Sequence, residues 1–285
     1  PPGSPLIMTT TLFLRRLSRH GLALFGLFIL LTALLVSLLA PWLSPYDPLA
    51  SFDGLRLAPP GTPGHLLGLD NQGRDVLSRI IWGGRSLLTA SVLPIIFAAL
   101  ISLALGMLAG FRASAFSELI MRSMDMLFAF PMVLLAIGLS AVLGSGYPTL
   151  IITLICSVIP YLTRVVYRDT RAESAKEYVE ALRAQGASTV DILFREILPN
   201  VATPLLVYTT SLLGGMVVFL AGLSFLGLGV QPPQADWGRM VGEGAQMMIL
   251  GAPHVATAPA LAIVLLSLAF NWLGDGLRDL LDPYQ

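Results

Sequence analysis

Residues 177–200 read EYVEALRAQGASTVDILFREILPN. This is the longest strongly charged stretch in a chain otherwise dominated by apolar segments. Its pattern is that of two short amphipathic helices, broken at a glycine and stopped by a proline. Residues 172–185 are expected as the first helix, because Ala175, Tyr178, Val179 and Leu182 fall at i, i+3, i+4 and i+7 and make one apolar stripe. Lys176 with Glu180, and Glu180 with Arg183, have the spacing of supporting pairs on the polar face. Gly186 stands where a residue of positive φ closes a helix cheaply. Ser188, three residues before Asp191, has the spacing of a capping box and starts the second helix. That helix repeats the stripe with Val190, Leu193, Phe194 and Ile197, and Pro199 ends it or begins the next segment.

Around this stretch the chain is oily. Of 285 residues, 55% are hydrophobic and 12% charged, against about 25% charged in a soluble domain. Mean hydropathy is +0.78, so bilayer is the expected solvent for much of the protein. A formal net charge of +0 gives no basic character that would suggest a nucleic-acid partner. The single cysteine, Cys156 in IITLICSVIP, cannot form an intrachain disulfide and is expected as a buried packing thiol. His20, His65 and His254 are far apart and form no ligand pattern, so no metal site is expected.

A helix needs about 20 apolar residues to cross the hydrocarbon core. Residues 21–40 meet this without a charge, and Pro41 and Trp42 end the run. A cleavable signal peptide is the competing reading, but the run is long and PWLSPYDPLA offers no small-x-small site. Residues 86–111 form the second run. Residues 126–163 are uncharged for 38 residues and are divided by the turn GSGYP at 144–148, giving spans three and four. Residues 197–235 read as one span with a re-entrant or extended exit, and residues 256–274 as the sixth. With the N-terminus inside, the cytoplasmic face carries 12 of the 17 basic residues: Arg15, Arg16, Arg19, Arg112, Arg122, Arg164, Arg168, Arg171, Lys176, Arg183, Arg195 and Arg278. Arg56, Arg74, Arg79, Arg85 and Arg239 remain outside. Both termini are therefore expected in the cytoplasm.

The expected division is a cytoplasmic segment 1–20, a first transmembrane helix 21–41, an extracytoplasmic loop 42–85, a five-helix core 86–280 and a tail 281–285. The core contains the charged loop 172–199. The outer loop is rich in proline and glycine and reads as ordered loop, with a short interfacial helix at 75–83. Asp70, Gly73, Arg74 and Asp75 are its candidate site residues, the three charged ones as a local ion network that pins it. QPPQADWGRM, within the second outer segment at 230–251, is expected at the external mouth.

Three readings of the charged stretch stand: a solvated helical loop, a helix resting on lipid, and a docking element. A lipid anchor would be more one-sidedly basic, and the mixed charge fits a protein partner better. Here the chain resembles a known family. The stretch is similar to the EAA motif of binding-protein-dependent ABC importers of type I fold, through Glu180, Ala181, Gly186, Leu198 and Pro199. It departs at Leu182, where alanine is usual, and at Glu196, where isoleucine is common. HLLGLDNQGRDVLSRIIWGGRSLL (65–88), FREILPN and AGLSFLGLGVQPPQADWGRM resemble the second permease of dipeptide and oligopeptide importers. So does the ending around Asn271, Gly274, Asp275, Arg278, Asp282 and Pro283. The resemblance runs from about Arg15 to Pro283.

It implies an all-α polytopic membrane protein with six transmembrane helices, a permease for dipeptides or oligopeptides in a prokaryotic inner membrane. Partners would be a homologous permease, two cytoplasmic ATPase subunits, an extracytoplasmic peptide-binding protein and membrane lipid. Glu180, Ala181, Arg183, Gly186, Leu198 and Pro199 would form the ATPase-coupling loop. The sequence contains no Walker A loop, so no catalysis and no cofactor are expected of this chain, and ATP and Mg would sit on the ATPases. Nickel or another small solute is the alternative cargo. An uncharged lining from Gly138, Ser140, Thr153 and Ser157 would suit either. An ion-driven secondary transporter is disfavoured because Asp125 and Asp275 lie at span edges, with no acid deep in a span. An intramembrane enzyme is disfavoured too, since no nucleophile–base–carboxylate set is visible and Ser91, Ser102 and Ser157 suit packing or backbone bonding.

Overall fold

The structure is a computed structural model that describes residues 20–112 and 114–281. Arg15, Arg16, Arg19, Asp282 and Pro283 lie outside the described residues, with nearly all of the expected N-terminal segment and tail. The helices are α1 (Gly21–Leu38), α2 (Ala40–Leu43), α3 (Val76–Phe111), α4 (Ala115–Phe128), α5 (Met132–Leu143), α6 (Tyr147–Ser174), α7 (Glu177–Ala184), α8 (Thr189–Phe225), α9 (Trp237–Met247) and α10 (His254–Leu281). Only isolated bridges, such as Leu69 with Asp75, occur among the described residues in place of a sheet. Five helices, α1, α3, α6, α8 and α10, are long and apolar enough to cross a membrane.

The sixth crossing is not a straight helix. α4 and α5 meet at 88°. Pro131 disfavours helical backbone at Phe130, and it stands as the N-cap of α5. With 12 residues, α5 is about 18 Å long, too short for a hydrocarbon core of about 30 Å. The bent pair makes six spans only when counted as one.

Two expected boundaries move. The interfacial helix at 75–83 is the first part of α3, because nothing between Val76 and Ser86 breaks the helix, and Asp75 caps it by accepting from Ser78 N. The second charged helix is likewise continuous with the fifth span. Its residues Ile192–Ile197 are π-helical, and Leu198 N donates to Leu193 O. A proline ring at 199 would press on the carbonyl four residues back in a regular α-helix. The wider π turn just before it removes that conflict, so Pro199 neither ends a helix nor starts one.

Helices meet where side chains are small, the usual solution when lipid removes the hydrophobic drive. On α3, Ser102, Gly106 and Gly110 recur every fourth residue against α6. Ser102 Oγ donates to Ile159 O at 3.2 Å. A Cβ on Gly106 would lie 2.5 Å from Val166 Cβ, and one on Gly110 2.7 Å from Tyr167 O. α8 closes on α10 through Gly214 and Gly274, which abut Asn271 and Ser211. α10 in turn carries α1, with Gly26 against Ala269 and Trp272. Phe25, Phe28, Leu31, Leu34 and Leu35 of α1 stay exposed, as suits a helix at the lipid margin. Cys156 is half-buried, short of the fully buried thiol expected. Thr153 is fully buried and bonded to Thr149 O, so it lines no path. Ser91 bonds the carbonyls one turn before it.

The two ends of the bundle differ. One gathers the outer loop, the start of α3, the turn at 144–146 and α9. The other gathers His20, 3.8 Å from Asp279, with Arg112 and the 175–188 turn region.

Candidate functional site

At that second end, α7 forms a short amphipathic helix. α6 runs through to Ser174 and Ala175 is its C-cap, so the expected start at 172 shifts to Glu177. Ala175 is consequently exposed and leaves the stripe. Val179 is fully buried and Tyr178 and Leu182 pack on the same core. The Tyr178 hydroxyl donates to Glu173 Oε1 at 2.8 Å. Burial, then this acceptor, pushes the Tyr178 phenol well above its ordinary range.

The helix ends as the glycine implied. Gly186 has φ +82°, its N–H bonds Arg183 O at 3.1 Å, and Ala187 N bonds Leu182 O at 3.0 Å. This is the Schellman arrangement. A Cβ at Gly186 would meet nothing within 4 Å, so within this chain only the backbone demands glycine. Ser188 caps α8 by accepting from Asp191 N, and its hydroxyl donates to Asp191 Oδ2 at 2.6 Å.

The second stripe is corrected. Val190 and Phe194 are exposed, whereas Ile192 and Ile197 are buried and Leu193 packs on the core. A π turn brings residues five apart into register, so Ile192 and Ile197 share the inner face. The expected polar pairs are corrected too. Lys176 Nζ lies 2.6 Å from Glu173, and Arg183 covers the Phe111 ring at 5.1 Å. Glu180 is exposed and has no ion pair among the described residues. Ala181 and Pro199 are exposed and Leu198 packs inward. Arg112 Nη2 donates to Thr189 Oγ1 at 3.1 Å, tying the end of α3 to the turn.

At the opposite end the outer-loop residues are buried: Asp70 and Asp75 are 1% exposed and Arg74 6%. Asp70 Oδ1 accepts from the backbone of Gln72 and Arg74 at 2.8 and 2.9 Å. Its Oδ2 accepts from Arg74 Nε at 2.7 Å and from Arg79 Nη1. Glu243 of α9 adds contacts to Arg74 at 3.3 Å, Arg79 at 3.7 Å and Arg239 at 2.8 Å. Asp75 does not join this network. It holds Ser78 and lies 2.9 Å from His65 Nδ1, and the His65 ring closes a three-ring cluster, tilted against Tyr46 and edge-on to Phe52. Gly73, at φ +76°, sits where a Cβ would strike Phe52 O at 2.8 Å.

Arg79, Glu243, His65 and Trp237 are the residues that sequence reasoning missed here. The Trp237 indole donates to Ile80 O at 2.8 Å and packs on Gly83 and Gly84, so α9 is fastened to α3. Asp236 caps α9, and burial pushes its carboxyl up against the opposing pull of the cap.

Residues 102–284 match the binding-protein-dependent transport system inner membrane component family, and residues 10–60 match the N-terminal TM domain of oligopeptide transport permease C. The glutathione transport system permease protein GsiD of Pectobacterium atrosepticum is 42% identical over 269 residues, 94% of this chain and 89% of that protein. GsiD of Escherichia coli O6:K15:H31 is 42% identical over 271 residues, 95% and 89% of the two chains. An inward-facing structure of the MetNI methionine ABC transporter aligns with a TM-score of 0.56 at 20% identity, covering 72% of this chain and 96% of that one. At that identity the likeness shows fold alone, and the fold is that of a type I ABC importer's transmembrane subunit. Helical architecture, multiple spans and two matched domains agree: the chain belongs to the family of binding-protein-dependent transport system inner membrane components, in the branch carrying the oligopeptide permease C N-terminal domain.

Proposed function

We propose that this chain is the permease subunit of an ATP-driven importer of short peptides, glutathione among them. It pairs with a homologous permease to form the path, takes substrate from an extracytoplasmic binding protein and couples to two ATPase subunits that hold ATP and Mg. The chain itself performs no catalysis. The end carrying α7 is cytoplasmic, a reading supported by the 12 basic residues assigned to that side. Glutathione is itself a short peptide, so the relatives' names favour this class over nickel.

The observation that carries the coupling assignment is Glu180. It is an exposed carboxylate with no ion partner among the described residues, held on a helix that Val179 anchors and the Gly186 turn closes. Ala181, Arg183, Leu198 and Pro199 complete the docking element. Asp70, Gly73, Arg74 and Asp75 keep the outer loop in one shape for the binding protein.

The test is a reconstituted complex carrying Gly186→Val, with uptake, ATP turnover and co-purification of the ATPase followed together. Uptake is expected to fall while the bundle remains assembled. Near-normal uptake and association would refute the coupling role. Failure of the unmodified complex to import glutathione or a dipeptide would refute the substrate class.

A further inference from the structure

The loop end of the bundle holds a cleft of about 870 Å³ between the outer loop, the first turns of α3, the start of α6 and the segment leading to α9. This lies within the range of about 300–1,000 Å³ for small-molecule sites. Tyr46, Trp82 and Tyr147 supply half-buried aromatic surface, Gln234 an amide, and Arg85 and Asp47 one charge of each sign. The two charges do not neutralise each other. No nitrogen of Arg85 comes within 4.0 Å of an Asp47 oxygen, and neither residue forms an ion pair with another described residue.

The walls are set in advance. Tyr46 N donates to Ser78 Oγ at 3.2 Å and Tyr46 OH to Gly64 O at 3.0 Å. Asp47 Oδ1 accepts from Leu49 N at 2.8 Å, which orients the carboxylate and leaves Oδ2 without a partner among the described residues. Trp82 and Arg85 stand one turn apart on α3, which is fastened nearby by the Trp237 bond to Ile80. Such preorganisation lowers the ordering cost of binding.

We propose that this cleft is a subsite on the permease that holds the substrate by its two ends, with the terminal ammonium at Asp47, the far terminal carboxylate at Arg85 and the intervening chain on the aromatic wall. The assignment rests on the peptide-importer reading above. An extended di- or tripeptide reaches about 7–10 Å, so its terminal ammonium and carboxylate can each meet one of two charged groups that line the same cleft without pairing with each other. Among the described residues of the lining Asp47 is the only acid and neither histidine nor cysteine joins it, which favours an organic zwitterion over a metal chelate.

Glutathione is the probe, titrated calorimetrically into the purified complex without its binding protein. Arg85→Gln and Asp47→Asn are each expected to raise its Kd about tenfold, the loss of one solvent-accessible charge-assisted contact, and to lower uptake at saturating binding protein. Arg85→Lys is expected to fall between wild type and Arg85→Gln. Co-purification of the ATPase should be unchanged in all three. Wild-type Kd in both neutral variants, in a complex that imports glutathione, would overturn the subsite alone. An unmodified complex that neither binds nor imports glutathione would overturn the peptide reading and the subsite with it.

Discussion

Asp70→Asn is the sharpest single perturbation of the outer loop. The asparagine oxygen can still accept from Gln72 N and Arg74 N, so the local turn survives. The amide nitrogen, however, faces Arg74 Nε and Arg79 Nη1, a donor against two donors. Arg79 is 2% exposed and would keep only Glu243, at 3.7 Å and partly solvated. Removing one partner from a buried pair costs about 3–5 kcal/mol. The surviving turn bonds and Glu243 place this case near the lower end, about 3 kcal/mol. The loss should appear as local opening of the loop from α3, because the seams between α3, α6, α8 and α10 do not involve Asp70. Tryptic cleavage after Arg74, buried in the native protein, reads that opening directly. When opening is fast relative to cleavage, the rate follows the open population, so acceleration of about a hundredfold is expected. Asp70→Asn combined with Arg79→Met should recover much of the protection, since an apolar replacement removes the stranded charge. Cleavage within about threefold of wild type in Asp70→Asn would refute the claim that this carboxylate pins the loop.

Gly106→Ala should weaken the α3–α6 seam by about 1–3 kcal/mol, lowering the melting temperature of the purified complex, while Gly138→Ala, inside α5 with a Cβ that meets nothing within 4 Å, should not lower it. Gly186→Asn should retain most uptake where Gly186→Val does not, because asparagine tolerates positive φ better than a β-branched residue. Equal loss in both would point to a close-fitting partner surface instead. Burial raises the Tyr178 phenol pKa in the folded state, so its contribution to stability is full below about pH 10 and fades as pH climbs through the higher folded value. Melting of the complex across that alkaline range should fall less steeply in Tyr178→Phe.

What could be read from the sequence was what a few neighbouring residues decide. The Gly186 closure depends on bonds among residues 182–187, and the Ser188 cap on residues 188–191, so both were legible. The second stripe was not, because a π turn before Pro199 shifts the helical phase by about one residue and no periodicity rule carries that shift. The bend at Phe130 was obscured for a related reason. An uncharged run of 38 residues divides most visibly at its glycines, while Pro131 signals a break only through its effect on the residue before it. At the outer end, Asp70 and Arg74 announced themselves by proximity, but Glu243 stands 169 residues from Arg74 and nothing local marks it as their partner. The continuity of Thr189–Phe225 carries the widest consequence. A coupling loop joined to its span by a flexible hinge could move without moving the path. Here only the short turn 185–188 separates α7 from 37 residues of helix that carry a single π turn near their start, so under the proposed coupling a force applied beside Glu180 would reach α8 through four residues held by the Gly186 closure and the Ser188 cap.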